Sequence, residues 1–276
     1  MCESALSSPL HTTDHGAPAA GDGFEPSAGL LDRTRAILRL SAKSDDFFWA
    51  RWGTRPYAAL MLAALHKRAL TPNVLSVISL ILGLASCAAY GFWPGYLGLW
   101  IAWLLGQASY TADCMDGMQA RYKGLFSPAG TSMDFLVDAI KQIFLFPAVG
   151  YRLWEEAGRP LGPADGWALW TALLIGPVVA AGLATTVFLR SPEVTGAAER
   201  AHREAHDRSL AGRIMAAVAL LMNYPSWILL PVLFERMDIF LLISAPLYAL
   251  YALYSWRLVY KRVCGLDHYE RAKRDG

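Results

Sequence analysis

From residue 71 onward the chain alternates between long uncharged runs and short polar or basic links. The first run opens at Thr71-Pro72-Asn73 and reaches Trp93 without a charged residue. A threonine followed by proline marks a helix start, because the threonine caps the first turn and proline suits its first position. About 20 apolar residues suffice to cross the hydrocarbon core of a bilayer, so this run predicts a first membrane span. The same reading predicts further spans near 96–117, 131–153, 166–190, 211–233 and 237–260. The expected fold is all-α, a polytopic membrane protein with six transmembrane helices. Ser79, Gly83, Cys87 and Gly91 recur every fourth residue in the first span. Small residues at that interval let helices approach closely, either inside the bundle or at a seam between two copies.

Between Leu30 and Arg68, apolar positions such as Leu31, Leu38, Phe48 and Trp52 alternate with Arg33, Arg35, Arg39, Lys43, Arg51 and Arg55. That pattern predicts one or two amphipathic helices lying in the membrane interface. It would also suit a soluble amphipathic helix packed on the remainder. Residues 1–28 are rich in Ser, Ala, Gly and Pro and carry Glu3, Asp14, Asp22 and Glu25. They lack the cationic start and apolar core of a signal peptide and read as a disordered tail. The expected organisation is therefore a tail (1–28), a juxtamembrane amphipathic segment (29–70), a six-helix domain (71–262) and a basic tail (263–276).

Basic residues set the orientation. With these spans, all of the 25 lysines and arginines except Lys141, Arg152, Arg159 and Arg236 fall on one side. The positive-inside rule makes that side cytoplasmic. Both termini and the junction of the second and third spans are expected there, with the chain in the cytoplasmic (inner) membrane.

Composition narrows the class further. The chain is 55% hydrophobic and 17% charged, well below the quarter or so that is usual for soluble domains. A net charge of +2 gives no argument for nucleic acid. Cys2, Cys87, Cys114 and Cys264 are too scattered for a disulfide framework or a zinc site. His202 and His206 flank Glu204, but the metalloprotease pattern needs glutamate directly after the first histidine, where Arg203 stands. A solvated cytoplasmic helix is the better reading of that stretch.

The chemistry concentrates at the junction of spans two and three. Asp113 and Asp116 close one helix, and Asp134 and Asp138 open the next. Carboxylates at the edge of apolar helices are functional candidates, because burying them is costly. Spacings of three and four put each pair on one helix face. The short link makes the two helices antiparallel neighbours, so the pairs are expected to face each other. Four carboxylates this close need cations to coexist. Hard oxygen donors select magnesium, manganese or calcium, and magnesium with a diphosphate substrate fits best. Gly117 and Ala120 leave room beside the acids, and Arg121 offers a planar fork for phosphate oxygens. Ser127-Pro128 reads as a helix cap whose amides could face an anion, and Gly130 as a point of close helix contact.

From Asp113 to Asp138 the sequence reads D-x2-D-G-x2-A-R-x8-G-x3-D-x3-D. This resembles the full signature of the class I CDP-alcohol phosphatidyltransferases. The resemblance extends to the six-span layout, the Thr71-Pro72-Asn73 start and the amphipathic N-terminal segment. It implies that Asp113, Asp116 and Asp134 bind divalent metal, two Mg2+ or Mn2+ ions. Asp138 would complete that site and act as general base. It implies that Gly117, Arg121 and Ser127 line a CDP pocket, closed by Asn73 and Ser76. The implied reaction is in-line attack of an acceptor hydroxyl on the donor phosphorus with release of CMP, in a homodimer embedded in the bilayer.

Lys141 lies one turn deeper than Asp138 and needs a partner, with Asp134 and Asp138 in reach. Neutralising the acids and holding a phosphate of the acceptor are both open to it. Arg190 and Arg213, at cytoplasmic helix ends, are further acceptor-site candidates. Asp45-Asp46-Phe47-Phe48 with Arg55-Pro56, and Asp113-Cys114 leading into Ala120-Arg121-Tyr122, resemble the branch of the family that uses CDP-inositol. CDP-diacylglycerol with inositol phosphate or glycerol phosphate is the alternative pairing. The alternative functions are a cation transporter built on the four aspartates and an inert scaffold. Transporters tend to hold ions near the midplane between repeated halves, whereas these acids sit at one edge.

Overall fold

The computed structural model describes residues 29–41, 50–65, 70–125, 128–162, 164–190 and 224–275, and every regular element among them is helical. Helix α1 (Leu30–Leu40) comes first, and one turn of π-helix (Ala50–Thr54) leads directly into α2 (Arg55–Ala64). The long helices are α3 (Pro72–Phe92), α4 (Gly95–Lys123), α5 (Pro128–Glu156) and α6 (Trp167–Arg190). Two short pieces, α7 (Tyr224–Trp227) and α8 (Leu229–Leu233), precede the longest helix, α9 (Met237–Asp275).

Expected spans one, two, three, four and six fall on α3, α4, α5, α6 and α9. By length and composition, Pro72–Phe92, Trp167–Thr185 and Met237–Arg257 are able to cross a membrane. Helices α4 and α5 have 29 residues each, but their apolar surface is diluted by glycine, aromatic and, near the acids, charged residues. Most of the expected fifth span lies outside the described residues. Its described end is two helical pieces around Pro225 and Pro231, where Gln107 Nε2 donates to the Pro225 carbonyl at 3.0 Å and Tyr96 Oη to that of Leu233 at 3.2 Å. Side chains from a neighbouring helix thus satisfy backbone groups that a broken helix frees.

Helix α3 starts as its sequence predicts. Thr71 is the N-cap, its Oγ1 accepts from the Val74 amide, and Pro72 occupies the first turn. Its buried face carries Ser76, Ser79, Gly83, Ser86 and Cys87, while Val74, Val77, Ile78 and Ile81 point outward. A helix immersed in lipid gains little by hiding aliphatic groups, so small and hydroxyl-bearing residues take the helix contacts instead. Against α4, Ser79 Oγ donates to the Ser109 carbonyl (3.0 Å), Ser109 Oγ to the Ser79 carbonyl (2.7 Å), and Ser86 Oγ to the Ala102 carbonyl (2.6 Å). Against α5, Gly91 lies on the Ala148 backbone.

Helix α3 therefore touches both α4 and α5 along their length, and among the described residues α4 and α5 have no comparable packing against each other. Their acidic ends nonetheless meet, with Lys141 of α5 2.9 Å from Asp113 of α4. The small residues on the buried face of α3 let both helices settle on it. Helix α5 continues the bundle onto α6, and α6 onto α9. Phe146 on α5 meets Phe240 and Tyr248 on α9 at ring separations of 6.0 and 5.1 Å. At the end far from the acids, buried Arg152 donates to the carbonyls of Trp93 (2.9 Å) and Gly95 (2.9 Å) and pairs with Glu156 at 2.7 Å. It thereby holds α5 to the α3–α4 turn.

The amphipathic segment packs on the bundle, as one of its two expected readings required. Ile37 of α1 and Ala58, Ala59, Leu62 and Ala63 of α2 pack with Leu75, Met115 and Met118 of the bundle. Leu31, Leu40, Trp52, Tyr57 and Met61 remain exposed, an apolar outer face of the kind a membrane interface covers.

Candidate functional site

The last turns of α4 and the first of α5 bring the four aspartates to one end of the bundle, over α3. Helix α4 runs past the expected limit of its span to Lys123 and stops at Gly124, whose φ of 64° is left-handed. Glycine takes that conformation without strain, and the Leu125 amide closes back on the Ala120 carbonyl at 2.9 Å. The chain then turns towards α5, which begins at Pro128 as the sequence predicts.

Oxygens of Asp113, Asp134 and Asp138 lie within 4.8 Å of one another. Asp116 stands beside this triplet, buried, with its Oδ2 accepting from Ser76 Oγ at 2.5 Å. Asp134 is exposed and Asp138 half-exposed, so the cluster opens outward from a closed floor. That floor is Lys141. Its ammonium is 2.9 Å from Asp113 Oδ1, 2.8 Å from Asp138 Oδ1 and 3.0 Å from Ser79 Oγ.

Alongside the acids is a cavity of about 360 Å³. Asn73, Ser76, Gly117 and Arg121, all expected from sequence to border a nucleotide, line it together with Asp116 and Asp134. Arg121 folds back over Gly117, where a Cβ would come within 3.3 Å of its Nη2. Gly117 thus keeps that wall low. Ala120 and Gly130 border the same space. Ser127 and Arg213 lie outside the described residues, as does the side chain of Arg190.

Two residues beneath the site escaped the sequence reading of its chemistry, Ser79 and Gly83. Their every-fourth-residue spacing was visible, but nothing in one helix shows what crosses it. The stem of Lys141 does, since a Cβ on Gly83 would come within 2.6 Å of Lys141 Cδ.

The donor set fits a divalent cation. Three converging carboxylates supply hard oxygen ligands, and the ammonium already among them shows that the cluster tolerates positive charge. Such a cluster, at one end of a helical membrane bundle and bordering a cavity through Asp134, is the kind of site at which membrane enzymes bind anionic substrates with metal. Residues 69–243 match the CDP-alcohol phosphatidyltransferase family, and the chain belongs to it. The family consists of transferases that move a phosphoalcohol group from a CDP-alcohol, and in general they depend on divalent metal. No curated protein matches the chain.

Proposed function

We propose that the chain transfers a phosphoalcohol group, of phosphatidyl or inositol-phosphate type, from a CDP-alcohol to an acceptor hydroxyl in the cytoplasmic membrane, releasing CMP. The observation that carries this reading is the shared border between the acidic cluster and the cavity lined by Asn73, Ser76, Gly117 and Arg121.

Asp113, Asp116, Asp134 and Asp138 would hold Mg2+ or Mn2+, which when bound would neutralise the diphosphate and stabilise the charge developing on CMP. Arg121, beside the low wall at Gly117, binds phosphate oxygens through its planar fork. Asn73 and Ser76 close the nucleotide side, and the family's pattern adds Ser127 to the residues that would bind the nucleotide. Asp138 accepts the proton of the acceptor hydroxyl, a group too weakly nucleophilic at neutral pH to react without a base. The acceptor oxygen bonds to the phosphorus bearing the donor's alcohol, and the bond from that phosphorus to the oxygen of CMP breaks. The three donors of Lys141 are directed at Ser79, Asp113 and Asp138. Arg190 and Arg213 therefore remain the candidates for a phosphate on the acceptor.

The deciding experiment is CMP release by purified protein with Mg2+ from a panel containing CDP-diacylglycerol and CDP-inositol, each with inositol phosphate, glycerol phosphate and lipid hydroxyl acceptors. CMP should appear with at least one pairing and should cease in EDTA. Binding of metal and nucleotide without CMP release from any pairing would favour the inert scaffold instead.

A further inference from the structure

Buried lysines are rare in membrane helices, and this one occupies a notch shaped for it. The Lys141 side chain is 4% exposed and those of its partners Asp113 and Asp138 are 16% and 48% exposed. Its stem passes over Gly83 at a separation that leaves no room for a Cβ. At its tip, Ser79 gives its own proton to the Ser109 carbonyl and so turns a lone pair towards the ammonium. Cys87 Sγ, one turn further along α3, approaches the Lys141 carbonyl at 3.7 Å. The stripe Ser79–Gly83–Cys87 thus fits one residue of α5 from its backbone to its charged end.

We infer that Lys141 is a resident counter-ion of the metal centre, which occupies oxygens of Asp113 and Asp138 before metal binds and competes with divalent cations for them. The inference rests on the proposed metal role of the four aspartates and adds a regulating element to it. With the ammonium in place, Asp113 is neutralised without any metal, so the empty site is stable. The same ammonium lowers the attraction of the cluster for a free divalent ion. Donor diphosphate brings further negative charge to the cavity and shifts that balance, so metal is held firmly only with its substrate. The physical basis is the strength of charge–charge interactions at contact distance in a poorly screened site. Breaking one half of a buried pair also leaves the other half uncompensated.

The test uses metal-stripped full-length protein in detergent, without any CDP-alcohol. Mn2+ binding is measured by electron paramagnetic resonance and thermal unfolding is followed with and without Mn2+. Lys141→Gln should bind Mn2+ about tenfold or more tightly than wild type. Its melting temperature should be lower than that of wild type in EDTA and should rise further on adding Mn2+. Gly83→Ala retains the lysine but displaces its stem, and should shift both readings the same way by less. It also serves as the test if Lys141→Gln fails to fold. Asp134→Asn separates the two ideas. If Mn2+ binding is lost in Asp134→Asn but equal in wild type, Lys141→Gln and Gly83→Ala, the metal site stands and the counter-ion role is overturned. Absence of Mn2+ binding in every protein, with or without CDP-alcohol, would overturn both.

Discussion

Asp138 and Asp113 share one ammonium yet stand in different surroundings. Asp113 is largely covered, while Asp138 keeps nearly half of its side chain exposed with one oxygen taken by Lys141. The more open carboxylate can meet an acceptor hydroxyl, whereas the covered one can serve chiefly as a ligand. A general base contributes about 10²–10⁴-fold in rate. Asp138→Asn is therefore expected to lower kcat by about that factor with CDP-alcohol binding largely retained. Asp113→Asn should weaken binding and turnover together. Binding isotherms and single-turnover rates across magnesium concentrations check both, and rescue of Asp138→Asn by high magnesium would reduce Asp138 to a ligand. At this scale the acids, Gly117 and Arg121 were legible because their spacing within one helix states which face they share. Ser79 and Gly83 were not, since their task is defined by a lysine on another helix.

Helix boundaries were the most legible feature at the next scale, wherever capping chemistry was local. Thr71-Pro72 and Pro128 start α3 and α5 as expected. Helix α4 continues beyond the expected span, because its last turns past residue 117 are amphipathic and packed beneath α2. The break between α7 and α8 was also missed, as its carbonyls are rescued from α4, far away in sequence. Contacts between elements depend on missing side chains as much as on present ones. A Cβ at Gly150 of α5 would collide with Ala172 of α6 and come within 2.8 Å of the Ala168 carbonyl oxygen. Overpacking of this kind destabilises by about 1–3 kcal/mol. Gly150→Val should lower the melting temperature in detergent by several degrees, and CMP release at low temperature should fall far less than for the aspartate variants.

The arrangement of the whole molecule was the least legible, because a short link says that two helices are joined but not what separates them. Helix α3 supplies the surface on which both α4 and α5 pack, and no pattern within a single helix announces that. By the span assignment, the basic residues outside Lys141, Arg152, Arg159 and Arg236 would fall on the side of the acidic cluster, and the positive-inside rule predicts that side to be cytoplasmic. A single accessible cysteine at Lys123, in a background lacking the native ones, should resist impermeant thiol reagents in intact cells and react once the membrane is opened. Labelling from outside would place the site on the opposite face. The α3 platform also bears on how the chain is made. Every residue proposed here to hold metal, together with Asn73, Ser76, Gly117, Arg121 and Lys141, lies between residues 71 and 141, on three consecutive long helices. At about 5–20 residues per second, synthesis of residues 142–276 takes roughly 7–27 seconds more. The acidic corner can thus take shape on a nascent chain, with its own lysine as the cation, before the helices that pack on α5 exist.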